Sequence, residues 1–153
     1  MSRVKTPGAA AHPVRAARAA GRVGAIFLAA GLLEIPWVVL LGRMLPPQQA
    51  PAWCALDAAE AVTLIATGLL LRRADPRAWL PASTATGLLL ADAWADVSSA
   101  SSTGALLTAL AMALFAELPL AALTASTAFD AYAPDNPLVP HPLRPARCAV
   151  RAA

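Results

Sequence analysis

Six carboxylic acids stand inside otherwise apolar stretches of this chain: Glu34, Asp57, Glu60, Asp92, Asp96 and Glu117. Asp57 and Glu60 are three residues apart, and Asp92 and Asp96 are four apart, so each pair shares one face of a helix. No lysine, arginine or histidine lies within these stretches to pair with them. A charge at the centre of a bilayer costs on the order of 3 kcal/mol even on lenient insertion scales. Six of them would cost roughly 15 kcal/mol or more, as much as the whole stability of an ordinary domain. The acids are therefore expected to face one another inside a helix bundle. Burial and like-charged neighbours both favour the neutral form, so several are expected to be protonated. A neutral acid in an apolar cavity is a proton donor. Ionised acids without a basic partner suit a cation instead.

The depth of each acid along its helix orders the set. Asp57 opens the second apolar segment and Asp96 closes the third, so both are expected near the outer face. Glu60 and Asp92 fall further in, and Glu34 and Glu117 near mid-membrane. Together they would line a polar cavity that narrows toward the bilayer centre. Glu-x-Pro occurs at Glu34-Ile35-Pro36 and again at Glu117-Leu118-Pro119. Each proline frees a backbone carbonyl one turn earlier, on Leu32 and Phe115, which would add acceptors. Trp37 and Trp94 lie close by, and a tryptophan face steadies a cation, although packing or interfacial anchoring serves them equally well. A purely structural role for the acids is the alternative, with Thr63, Thr67, Ser83, Thr84, Thr86, Thr108 and Thr124 as partners. That alternative is strongest for the interfacial Asp57 and Asp96.

The elements that must position these acids follow from composition. Of 153 residues, 58% are hydrophobic and 14% charged, against about 25% charged in soluble domains. Four apolar segments occupy 23–42, 52–71, 82–99 and 105–128. The first has 20 residues, about 30 Å of helix and the thickness of the hydrocarbon. It is longer than the roughly 7–15 residues of a signal-peptide core and holds an acid and a proline, so a retained helix is expected. The turn at 45–51 is rich in proline, 72–77 is charged, and 98–104 is rich in serine. Pro119 is expected to break the last segment. Trp53 and Trp79, at segment ends, read as interfacial anchors. Residues 1–22 read as a basic disordered arm, 23–128 as an all-α bundle of four transmembrane helices, and 129–153 as a Pro-rich basic tail.

The pI of about 9.5 belongs to those tails. Residues 23–129 carry four basic and seven acidic residues, and the tails eight basic and two acidic. Nucleic acid is therefore not an expected partner. Arginine and lysine alternate between loops, placing both ends on the cytoplasmic side of a multi-pass protein of the plasma membrane. Cys54 and Cys148 are expected on opposite sides, with no disulfide. His12 and His141 lie in the tails, no Cys/His metal spacing exists, and neither a cofactor nor a bound metal is expected.

The stretch Asp92-Ala93-Trp94-Ala95-Asp96-Val97, with Glu117-Leu118-Pro119-Leu120-Ala121 downstream, resembles a group of small four-helix membrane proteins from actinobacteria. These typically read Asp-Ala-Trp-Phe-Asp-Val and Glu-Leu-Pro-Leu-Ala. Ala95 replaces their usual phenylalanine, which would widen a pocket there. The resemblance covers residues 23–128. The acid-rich bundle is also similar in kind to small integral membrane terpene cyclases of bacterial secondary metabolism. That similarity implies an isoprenoid substrate and an acid-initiated reaction.

Three functions are open at this level. As an enzyme, Asp92 or Glu60 would protonate a terminal alkene or epoxide of a lipophilic prenyl chain in the bilayer. Glu34 and Glu117 would act as partners, Asp57 and Asp96 would complete the set, and Trp37 and Trp94 would support the cation. Eight aromatic residues are few for such a cavity. Asp92-x-x-x-Asp96 also has a spacing that could hold magnesium and a diphosphate, as in intramembrane prenyltransferases, but the pattern is weak and those bundles are larger. As a carrier, the chain would resemble the small multidrug transporters, exchange cations for protons and pair into a homodimer through its Ala-, Gly- and Thr-rich faces. As a non-catalytic membrane subunit, its acids would tolerate Asn or Gln.

Overall fold

The computed structural model describes residues 11–132 and is all-helical there. Four helices follow one another: α1 (Ala11–Met44), α2 (Ala50–Arg72), α3 (Trp79–Ser99) and α4 (Thr103–Tyr132). Alanine and leucine dominate all four, and both are strong helix formers. α1 begins at Ala11, so helix runs through the second half of the expected arm. The tail beyond Tyr132, with Cys148 and His141, lies outside the described residues.

Turn chemistry fixes the ends. Pro46 and Pro47 follow α1, and Pro51 sits in the first turn of α2, where its missing N–H costs nothing. After α2 the Asp75 N–H donates to Leu70 O and the Ala74 N–H to Leu71 O. This is a Schellman closure, with Ala74 at the left-handed position, φ 52°. The Asp75 carboxylate then accepts from the Arg77 N–H at 2.8 Å and starts the short 3₁₀ turn Pro76–Ala78 that leads into α3. The Ser102 hydroxyl oxygen caps α4 by accepting from the Ala105 N–H.

Three helices are long and apolar enough to cross a membrane: α1 from Ala19 to Met44, α2, and α4. α3 is long enough but carries Asp92, Asp96 and a run of Ser and Thr, and it falls short on apolarity. The apolar surface matches a lipid solvent. Leu33, Leu107, Leu114, Phe115 and Phe129 are all well exposed, which water would not reward.

Pro119 does not break α4. A π-helical turn, Ala113–Glu117, lies just ahead of it, and the helix continues to Tyr132. The wider turn absorbs the ring that would otherwise clash with the preceding carbonyl. Pro36 likewise lies within a continuous α1.

The helices pack in chain order, α1 on α2, α2 on α3, and α3 on α4. Glycines set the first contact. A Cβ on Gly68 would stand 2.6 Å from Gly24 O, and one on Gly31 would stand 2.7 Å from Ala61 O. Such backbone approach is what membrane helices use in place of hydrophobic collapse. Between α3 and α4 the Thr86 hydroxyl donates to Thr124 Oγ1 at 2.8 Å. A core cluster joins all four helices: Phe27 from α1, Leu64 from α2, Ala85 and Leu89 from α3, and Ala121 from α4.

Gly68→Ala is expected to destabilise the bundle by about 1–3 kcal/mol, the usual cost of overpacking. Gly87→Ala, where the added methyl meets nothing within 4 Å, is expected to gain up to about 1 kcal/mol from helix propensity. Unfolding of both variants in detergent reads the contrast. Ala74→Gly is expected to gain about 1 kcal/mol by relieving the left-handed alanine, read the same way.

Candidate functional site

Four of the acids sit one helical turn from the core cluster or a residue packed on it, on its side away from the arginine-rich end, and Asp57 and Asp96 lie a turn further out. Glu60 precedes Leu64 by four residues, Glu117 precedes Ala121 by four, and Asp92 follows Leu89 by three. Glu34 follows Ala30, which packs against the same cluster. Positions three and four apart share a helix face, so each acid points where its core neighbour points. The core cluster thus floors a cavity whose walls carry the acids.

That cavity has a volume of about 310 Å³. α1 contributes Glu34 and Trp37, α2 contributes Asp57 and Glu60, α3 contributes Leu89 and Asp92, and α4 contributes Met112, Ala116 and Glu117. A second space of about 350 Å³ continues it to the end of the bundle, past Asp96, Ser99, Gln49 and Trp53. The two share Trp37, Asp57, Asp92 and Met112. They form one cleft, from the connections between helices down to Glu60 and Glu117.

The cleft has a side opening. Among the described residues no Cα of α1 comes within 8 Å of one in α4. Phe27 of α1 shares the core cluster with Ala121 of α4, and at the level of the acids half-exposed Trp37 and exposed Leu33 line the cavity on the α1 side.

Inside, the carboxyls lack partners. Glu60 is 3% exposed and Glu117 5%. Glu60 Oε1, Glu34 Oε2 and both carboxyl oxygens of Glu117 are buried without a hydrogen bond. Such atoms are rare in folded proteins and call for an explanation in each case. The available hydroxyls do not supply one. Thr63 donates to Ala59 O and Glu60 O, Thr67 to Thr63 O, and Thr108 to Gly104 O. Thr and Ser here bond back to their own helices, not to the acids. The Trp37 indole lies beside the Asp57 carboxylate.

Of the residues singled out from sequence, Glu34, Trp37, Asp57, Glu60, Asp92 and Glu117 line the inner cavity, and Asp96 its mouth. Trp94 does not join them. It is 74% exposed, on the outward face of α3, where it can contact lipid and not a substrate in the cleft. Met112, Ala116 and Leu120 are lining residues that spacing alone did not single out. Their signal was their position, since Ala116 adjoins Glu117 and Leu120 lies three residues beyond it.

No protein-family model, curated protein sequence or solved structure matches this chain. The reading of the site therefore rests on its geometry.

Replacing Glu60 by leucine removes a buried carboxyl that has an unpartnered oxygen and fills part of the cavity. The expected outcome is a gain of about 1–3 kcal/mol, the usual cost of such a group. Thermal unfolding in detergent reads it. A loss of stability instead would make Glu60 a tie within the bundle.

Proposed function

We propose that this protein is a membrane-embedded enzyme that uses an intramembrane carboxylic acid to cyclise or isomerise a lipophilic prenyl-type substrate. The observation that carries this reading is the cleft itself: floored by the core cluster, flanked by two outer helices, α1 and α4, whose backbones do not approach each other, and lined with carboxyls, of which Glu34, Glu60 and Glu117 hold unpartnered oxygens. A substrate dissolved in the bilayer would enter from the side. The inner volume reaches the lower end of small-molecule pockets, about 300–1,000 Å³.

In this reading all four helices cross the membrane. α3 packs along α2 and α4, its acids face the cleft, and Leu80, Leu90 and Trp94 face outward. Flanking helices would thereby make up for its modest apolarity. The positive-inside pattern places both ends of the chain in the cytoplasm, and the membrane would be the plasma membrane.

Glu60 is the acid of choice, being the least exposed carboxyl and the neighbour of Leu64 at the cavity floor. Its O–H would protonate a terminal alkene carbon or an epoxide oxygen, leaving a carbocation on the substituted carbon. The Trp37 ring face and neighbouring carboxylates would steady that cation. Attack by an internal double bond closes the ring, and loss of a proton to Glu34 or another carboxylate ends the reaction. One proton is given and one taken, so the product is an isomer of the substrate and no cofactor is consumed. The similarity in kind to small membrane terpene cyclases implies this same chemistry. A cation carrier needs the cleft to reach the opposite face, through Phe27, Leu64 and Leu89, which are fully packed here.

Membranes carrying the parent, Glu60→Gln, Asp92→Asn and Trp94→Ala would be incubated with farnesyl-type substrates, with and without a terminal epoxide, and products followed by mass spectrometry and NMR. The parent is expected to make a cyclised isomer. Glu60→Gln should lose it by about 100-fold or more, the scale of general acid catalysis, and Trp94→Ala should retain it. No turnover by the parent would move the reading to proton-coupled cation transport.

A further inference from the structure

The π turn of α4 brings one acid of that helix onto two acids of α3. Carboxylate oxygens of Asp92, Asp96 and Glu117 lie within 4.8 Å of one another. We infer that these three residues form a binding site for one hard divalent cation, of the magnesium, manganese or calcium class. The inference is independent of the cyclisation chemistry.

The geometry fits a single ion. Oxygen ligands stand about 2.0–2.1 Å from magnesium and about 2.3–2.6 Å from calcium. Ligands on opposite sides of one ion are therefore about 4–5 Å apart, and adjacent ones are closer. An all-carboxylate set selects hard cations over zinc or copper, which favour nitrogen and sulfur. Asp92 and Asp96, one turn apart on α3, present two ligands from one face. Glu117 supplies the third across the cleft.

Clustered acids alone would not make a site, and the second observation is Glu117. It is 95% buried by its 5% exposure, and both its oxygens lack any hydrogen-bond partner. A carboxylate so placed is costly to bury unless something compensates it. Among the described residues no basic side chain acts on Glu117, whose charged neighbours are acids. A divalent ion would supply the missing charge and fill the lone pairs. The cleft also offers a route in, since Asp96, Ser99 and Gln49 line its mouth and would pass a hydrated ion to the deeper Glu117. Glu60, on α2, lies outside this trio and stays available as a proton donor.

The test uses the full chain in nanodiscs of zwitterionic lipid, with Mn²⁺ as probe and no prenyl substrate present. Free Mn²⁺ is followed by EPR during titration. One ion per chain is expected to bind, displaced by EDTA and competed by Mg²⁺ or Ca²⁺. Asp96→Asn and Glu117→Gln are each expected to weaken binding by at least about tenfold, the scale of one lost ligand. Asp75→Asn, in the loop before α3, should leave it unchanged. Carbodiimide labelling of the parent, mapped by mass spectrometry, keeps the test open if a variant fails to fold, since Mn²⁺ should protect Asp92, Asp96 and Glu117. The inference is overturned if the parent binds no stoichiometric ion, if both variants bind as the parent does, or if labelling is indifferent to Mn²⁺. Cyclase activity, present or not, leaves these readouts untouched.

Discussion

Carboxyl groups inside an apolar slab must be kept from lipid, and among the described residues these acids have no basic side chain to pair with. After Arg77 no basic residue appears until His141, and between Arg22 and Arg72 only Arg43 does. Among the described residues no basic side chain acts on Asp92, Asp96 or Glu117. The hydroxyls are committed elsewhere, because Thr and Ser on these helices bond to their own backbones. What remains is to turn the acids toward one another around a space that lipid tails do not fill. The cleft between α1 and α4 is that space, and the rest of the bundle keeps it open.

Two kinds of contact hold the frame. Gly24, Gly31 and Gly68 let the backbones of α1 and α2 touch, so that pair is close along much of its length. α3 and α4 meet through alanines and the Thr86–Thr124 hydrogen bond. In lipid, apolar burial gives little drive to association, and small residues with interhelical hydrogen bonds carry it instead. The outer helices α1 and α4 are left apart. The core cluster holds Phe27 of α1 and Ala121 of α4 together, at the level below the acids. Floor and opening are thus two consequences of one packing pattern. The bulky Phe27 belongs to the core cluster, whereas at the acid level α4 lines the cavity with Met112, Ala116 and Glu117.

The π turn ahead of Pro119 couples backbone to chemistry. An extra residue in one turn rotates the preceding segment by about 100° relative to a regular helix. Glu117 ends that turn, so its direction is set by the same adjustment that lets the proline remain within a continuous helix. The result is a buried carboxyl with no partner, facing two others across the cleft. Native structures hold such groups when function requires them and pay for them in stability elsewhere.

Sequence by itself determined the apolar length of three helices, the secondary structure and the roster of acids. Length and apolarity give the helices, and their expected positions match α1 to α4 apart from ends that run longer. Those ends run on because alanine-rich flanks such as 11–22 continue a helix as readily as they end it. The inward direction of the acids was also legible, from their cost in lipid and from the faces that Asp57 shares with Glu60 and Asp92 with Asp96. Tertiary structure decided the rest. Helical spacing fixes which residues share a face but not which neighbour that face meets. Trp37 and Trp94 therefore looked equivalent in sequence, yet one edges the cleft and the other faces outward. The gap between α1 and α4 depends on side-chain volumes summed across helices that are distant in the chain. The approach of Glu117 to Asp92 and Asp96 depends on one extra residue in a turn, which no regular period contains.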